Sequence, residues 1–239
     1  MGEYRHGGSS RRKSYDRPVG IHRLDLGYAD IPAGVPGGPR VASLLAYLVR
    51  QDGAMILFDT GMGANDEIEA VYRIRRRELP GALASAGASL DEVDLVVNCH
   101  LHVDHSGGNP LLPGRPIIVQ RTELALAGTA DYTLPELVDF AGARYEQLDG
   151  DAEIRPGVWI IPTPGHTAGH QCLVVREPDG SVVLAGQTHD TAADFAAALT
   201  GDPSDRPVWM DRLLAFDPRQ VVFAHDGAVW TPDSLSDAV

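Results

Sequence analysis

The sequence predicts an α/β layered domain, and three observations lead there. Apolar runs short enough to be strands recur along the chain; the first of them arrive as hairpins; the later ones alternate with segments of helical spacing. That is the pattern of sheets covered by helices. The 239 residues suit one domain, since a single core grows to about 250 residues before chains tend to split. With 44% hydrophobic and 22% charged residues, the chain is too apolar to stay a disordered polymer.

Leu24, Leu26 and Tyr28 alternate with Arg23, Asp25 and Gly27, which predicts a strand with one buried face. Residues 41–49 and 54–58 flank Asp52-Gly53, a dipeptide that favours a tight hairpin turn. Asn65 is a cap for a helix on which Ile68, Val71 and Tyr72 fall at helical spacing. Glu69, four residues before Arg73, supports that helix, and Pro80 limits it. A second short helix precedes a buried strand at 93–98. Further strands are expected at 116–120, 158–162, 171–176, 181–185 and 220–224, with helices near 121–127, 134–140, 191–199 and 207–216. Residues 1–17, polar and rich in Gly, Ser and Arg, read as a disordered extension.

Composition excludes several classes of function. Twenty basic against 33 acidic residues leave a formal charge of −13, which repels phosphate backbones and argues against a nucleic-acid partner. The two cysteines, Cys99 and Cys172, have neither zinc-finger nor redox-pair spacing, so a reducing compartment is expected. The N-terminus has no apolar stretch of the secretory kind. The longest apolar run, near 41–49, is about half what a membrane span requires. The expectation is a cytoplasmic protein, monomer or homodimer, with a small-molecule substrate and no membrane partner.

The densest chemical signal is Cys99-His100-Leu101-His102-Val103-Asp104-His105, directly after an apolar strand. Residues two apart in an extended segment face the same way, so His100 and His102 can converge on one ion. Asp104 and His105 turn with the chain towards a second. Imidazole and carboxylate suit Zn²⁺ and similar borderline ions. Three of the nine histidines crowd into the six positions from His100 to His105, which even scatter would not produce. Gly107 and Gly108 let the backbone bend closely beneath such a site. His166, in Thr163-Pro164-Gly165-His166, and His225, in Phe223-Ala224-His225-Asp226, each follow an expected strand and offer remote ligands. Asp59 follows another and either orients a ligand or caps its loop.

These stretches resemble the metallo-β-lactamase superfamily. Gly107-Gly108-Asn109, residues 117–123 and residues 165–171 are most similar to its acyl-homoserine-lactone lactonases. The resemblance implies an αβ/βα four-layer sandwich over residues 18–239 as the catalytic domain, with two metals at one edge. His100, His102 and His166 would hold the first metal; Asp104, His105 and His225 would hold the second; a hydroxide between them would be the nucleophile. Zinc is the expected metal, in one or two ions, although the same ligands accept other divalent transition metals.

Two positions depart from the family pattern. Gln187 stands where a bridging Asp is usual, and Asp190 where the lactonases place a Tyr near the substrate carbonyl. A neutral Gln187 should weaken the second metal and leave coordinated water more acidic, because less anionic charge offsets the cations. His189 and Asp190 are candidates for a replacement ligand or general acid, with Asp104 as a proton shuttle; as an ordinary loop residue, Asp190 would cap the following helix. His170 is expected to support the loop of His166. The function implied is hydrolytic opening of a lactone. β-Lactam or thioester hydrolysis and biosynthetic ring opening are alternatives on the same fold, and a metal-stabilised binding protein is the alternative without catalysis.

Overall fold

The structure, a computed structural model, describes residues 20–35 and 38–233. The expected extension at residues 1–17 lies outside the described residues. Two long strands, β1 (Gly20–Ile31) and β2 (Arg40–Gln51), are followed through the Asp52-Gly53 turn by β3 (Ala54–Phe58). Both turn residues have positive φ, as the tight hairpin requires. The chain continues through α1 (Asp66–Tyr72), β4 (Arg75–Arg76) and α2 (Leu79–Ser85) to the short buried β5 (Leu95–Val97). Then come α3 (Val103–Ser106), β6 (Ile117–Gln120), α4 (Arg121–Ala127), α5 (Pro135–Val138) and β7 (Tyr145–Leu148). The second half runs β8 (Ala152–Arg155), β9 (Val158–Pro162), β10 (Gln171–Glu177) and β11 (Gly180–Leu184). It closes with α6 (Ala192–Thr200), α7 (Val208–Leu214), β12 (Pro218–Val222) and β13 (Val229–Trp230).

Among the described residues the strands form two sheets, ordered β4-β1-β2-β3-β5-β6-β7 and β13-β12-β11-β10-β9-β8. Side-chain alternation explains why the inner strands read as continuous apolar runs. Leu44, Ala46 and Leu48 of β2 pack with Leu79 and Leu83 of α2, while Leu45, Tyr47 and Val49 pack with Ile160, Leu173 and Val175 of the other sheet. In β10, Leu173 and Val175 face inward; Cys172 and Val174 face Phe195 of α6 and Met210 of α7. Helices, sheet, sheet, helices: the four expected layers are present. Each fully buried Leu, Ile, Val or Phe in these interfaces contributes roughly 1.5–3 kcal/mol.

Several local expectations need correction. The β1 alternation breaks at a bulge between Asp25 and Tyr28, which turns Tyr28 outward, 41% exposed. Asn65 caps α1 by accepting from Ile68 N at 2.9 Å, but Val71 is exposed. Arg73 takes the left-handed C-cap, so Glu69 pairs with Arg76 at 3.4 Å instead. Pro80 does not end α1; it sits in the first turn of α2, where a missing N–H costs nothing. Thr191, accepting from Asp194 N at 3.1 Å, caps α6 in place of Asp190.

Candidate metal centre

The turns after β3, β5, β9, β11 and β12 converge at one edge of the sandwich. His100, His102 and His166 form one group of donors, and Asp104, His105 and His225 another. In the first, His100 Nε2 lies 3.0 Å from His102 Nδ1, which lies 3.2 Å from His166 Nε2. In the second, His105 Nε2 is 3.2 Å from His225 Nε2, and Asp104 Oδ2 is 3.5 and 3.4 Å from them. Ligands about 2.0–2.2 Å from a tetrahedral ion stand roughly 3.3–3.6 Å apart, a range that the second group's spacings match to about 0.1 Å and that the first group, slightly tighter, approaches within about 0.3 Å.

The rings are held in orientation by groups behind them. Asp59, in the left-handed region at φ 61, accepts from Cys99 N at 2.8 Å and from His105 Nδ1 at 3.0 Å. That bond leaves His105 Nε2 to face the cluster, as a carboxylate behind a ligating histidine does. His225 Nδ1 donates to Ser43 O of β2 at 2.9 Å, freeing Nε2. Buried His170 accepts from Gln187 N through Nε2 at 3.1 Å, so its Nδ1–H donates to Thr163 Oγ1 at 2.7 Å. His170 thus ties the His166 loop to the turn after β11, as expected. Cys99 also groups with Asp59 and His105, and with His100 and His170, but its thiol is fully buried and engaged with Asp59 at 3.0 Å.

Charge within the cluster is unevenly distributed. Burial, with His105, His170, His102 and His166 around it, holds His100 well below the ordinary imidazole range. It therefore presents a neutral lone pair. Burial also lowers His105, but the Asp104 and Asp59 carboxylates outweigh it and raise that ring to about 9.

Further polar residues carry the loops, and the sequence reading had not assigned them individual roles. Glu123, wholly buried at the start of α4, accepts from Leu101 N at 2.8 Å, Thr167 Oγ1 at 2.7 Å and Tyr132 Oη. It joins the His100–His105 loop to the His166 loop. Asn98 donates to His105 O at 3.0 Å and accepts from Asn109 at 3.0 Å; Gln171 donates to Asn98 O at 2.9 Å. Trp209 of α7 donates to Pro164 O at 3.0 Å. The lactonase-like stretches around 107–109, 117–123 and 165–171 are therefore the scaffold of the cluster. Gly107 has ordinary helical angles (φ −59); what it provides is room, since a Cβ there would fall 1.9 Å from Gly63 N.

A cavity of about 480 Å³ opens on both groups. Its polar end carries His102, Asp104, His166 and His225; its apolar wall is built from Ile31, Leu44, Met62, Ile68, Tyr72 and Ile74. The ring of Tyr132 packs against His102 at a tilt of 46°, with ring centroids 4.7 Å apart. Asp190 and Gln187 also line it, whereas the ring of His189 packs on Phe195 and Trp209. The expectation that His189 ligates or donates a proton at the cluster therefore lacks support: its ring belongs to the packing of α6 and α7. Asp190 is engaged as an acceptor on both oxygens, by Arg40 at 2.9 Å and by the Gln187 amide at 3.2 Å.

Comparison with known proteins agrees with this architecture. The sequence profile of the family described as "Metallo-beta-lactamase superfamily" matches residues 41–225. The chain is 32% identical over 198 residues to the N-acyl homoserine lactonase AiiA of Bacillus thuringiensis subsp. kurstaki, spanning 77% of this chain and 78% of that one. It is 32% identical over 182 residues to the N-acyl homoserine lactonase AttM of Azorhizobium caulinodans, spanning 67% and 69%. Among solved structures, a quorum-quenching N-acyl homoserine lactone lactonase superposes with a TM-score of 0.72 at 26% identity, covering 87% of this chain and 92% of its own. An N-acyl homoserine lactone hydrolase with its product N-hexanoyl-L-homoserine bound at the catalytic metal centre superposes with a TM-score of 0.71 at 26% identity, over 87% and 93%.

Proposed function

Because the chain belongs to the metallo-beta-lactamase superfamily, we propose that it is a metal-dependent hydrolase that opens a lactone of the acyl-homoserine type. The observation that carries this reading is the pair of donor groups, spaced 3.0–3.5 Å within each, at the mouth of a largely apolar cavity. His100, His102 and His166 would hold one divalent cation, and Asp104, His105 and His225 a second, with zinc the first candidate. Cations bound there would lower the pKa of coordinated water towards about 7 and polarise a carbonyl, which is the chemistry of ester cleavage at neutral pH.

The chain's own groups supply the rest. Asp104, which lines the cavity, would take a proton from water and pass it to the leaving alkoxide. Asp59 and Ser43 O hold His105 and His225 in register. The wall of Ile31, Leu44, Met62, Ile68 and Ile74 excludes water and suits an acyl chain, while the polar end suits the ring. Two buried free thiols accord with a reducing, cytoplasmic location, and residues 18–239 would form the catalytic domain. No helix among the described residues is long and apolar enough to cross a membrane.

A substrate panel on metal-loaded protein tests this reading. N-acyl homoserine lactones should be opened, with KM falling as the acyl chain lengthens into the apolar wall. Turnover of a β-lactam or a thioester, with the lactones left intact, would overturn the substrate assignment.

A further inference from the structure

A chain of side chains leads from β2 into the donor cluster. Arg40 Nη2 lies 2.9 Å from Asp190 Oδ2. Asp190 Oδ1 accepts from Gln187 Nε2 at 3.2 Å, and Gln187 Oε1 lies 3.3 Å from His105 Nε2. The backbone of Gln187 is fixed as well: its N–H donates to His170 Nε2 at 3.1 Å, and the preceding Gly186 O accepts from Ala224 N at 2.9 Å.

The order of donors and acceptors along this chain permits only one orientation of the amide. Arg40 can only donate, so it faces carboxylate oxygen. Asp190 then offers oxygen to Gln187, which must answer with its NH₂. Gln187 Oε1 is left facing His105. Its 3.3 Å from His105 Nε2 falls within the 3.2–3.5 Å spacing of the Asp104, His105 and His225 donor atoms, and Gln187 lines the same cavity as Asp104 and His225.

We propose that Gln187 Oε1 is a fourth, neutral oxygen donor to a cation held by Asp104, His105 and His225, and that Asp190, clamped by Arg40, is the positioning residue that aims it. This rests on the reading of those three residues as a cation site. A neutral oxygen completes the coordination of a divalent ion without adding charge. The inference also gives Asp190 a function through Gln187 in place of a reaction with substrate.

Asp190→Asn tests the positioning, because the isosteric amide reverses the chain, and its combination with Gln187→Ala separates positioning from simple charge. Arg40 would hold Asn Oδ1, the Asn NH₂ would face Gln187, and Gln187 would turn its own NH₂ towards the cluster. Metal-stripped protein is titrated with Co²⁺ and with Zn²⁺, recording stoichiometry, affinity and the Co²⁺ visible spectrum. The parent should take two equivalents. Gln187→Ala and Asp190→Asn should each weaken the second by about tenfold or more, a typical loss when support for a ligand is removed. The first equivalent and the melting temperature of the stripped protein should stay unchanged. In the Gln187→Ala background, Asp190→Asn should have no further effect, since a residue acting through another has nothing left to aim. Unchanged affinity in Gln187→Ala would overturn the donor role. An Asp190→Asn loss that persists in full without Gln187 would overturn the positioning role. A parent that binds one equivalent only would refute the underlying cation site, a result visible before any variant is made.

Discussion

At the scale of the residue, the proposed site sets a proton against a cation. His105, raised to about 9 by Asp104 and Asp59 against the effect of burial, should carry a proton at neutral pH that a cation would have to displace. Affinity for the cation beside Asp104, His105 and His225 should therefore rise with pH, about tenfold per unit, and level off near pH 9. Calorimetry in buffers of different ionisation enthalpy should show about one proton released per ion at pH 7.5; release of none would contradict the protonated His105. Asp59→Asn removes one of the two carboxylates facing His105 and the acceptor of its Nδ1–H. That variant should bind the same ion about 10–100-fold more weakly, while the ion at His100, His102 and His166 is little affected. Gln187→Asp replaces a neutral oxygen with an anionic one and should tighten that ion, but less than expected for a carboxylate, because Asp190 lies at 3.2 Å from the amide it replaces.

At the scale of the element, the structure separates what periodicity reveals from what it hides. The inner strands were legible because both faces are buried and their apolar runs stand out. The four strands not anticipated, β4, β7, β8 and β13, are the four sheet edges. β7 and β8 have no fully buried residue, since edge strands carry polar side chains that leave no apolar signature. The six donors were legible for a different reason: histidine and aspartate crowd after strands, and that spacing is rare by chance. Arg40 and Tyr132 were not, and Glu123 only as part of the family-like stretch 117–123, because each acts across more than a turn of chain through hydrogen bonds, ion pairs or ring contacts that no local pattern encodes. Gly107 shows how tightly the elements meet. A Cβ at 1.9 Å from Gly63 N forces the loops apart, so Gly107→Ala should cost about 3 kcal/mol in chemical denaturation and loosen both cation sites. A fully stable Gly107→Ala protein would show that the close approach is dispensable.

At the scale of the whole molecule, the two halves of the sandwich share one site. His100, His102, Asp104 and His105 come from the first sheet's loops and His166 and His225 from the second's, so ions held between them would couple site and fold. Metal loading should stabilise the protein by about 2.7 kcal/mol for each ion whose free concentration is a hundredfold above its dissociation constant. A melting temperature indifferent to chelation would mean that the halves are not bridged. The most direct test is a pH-stat assay of N-acyl homoserine lactone opening on one preparation, first intact, then stripped with chelator, then reloaded with zinc. Proton release should stop on stripping and return on reloading. Turnover that continues undiminished after complete metal removal would contradict the assignment of these six side chains as the hydrolytic centre.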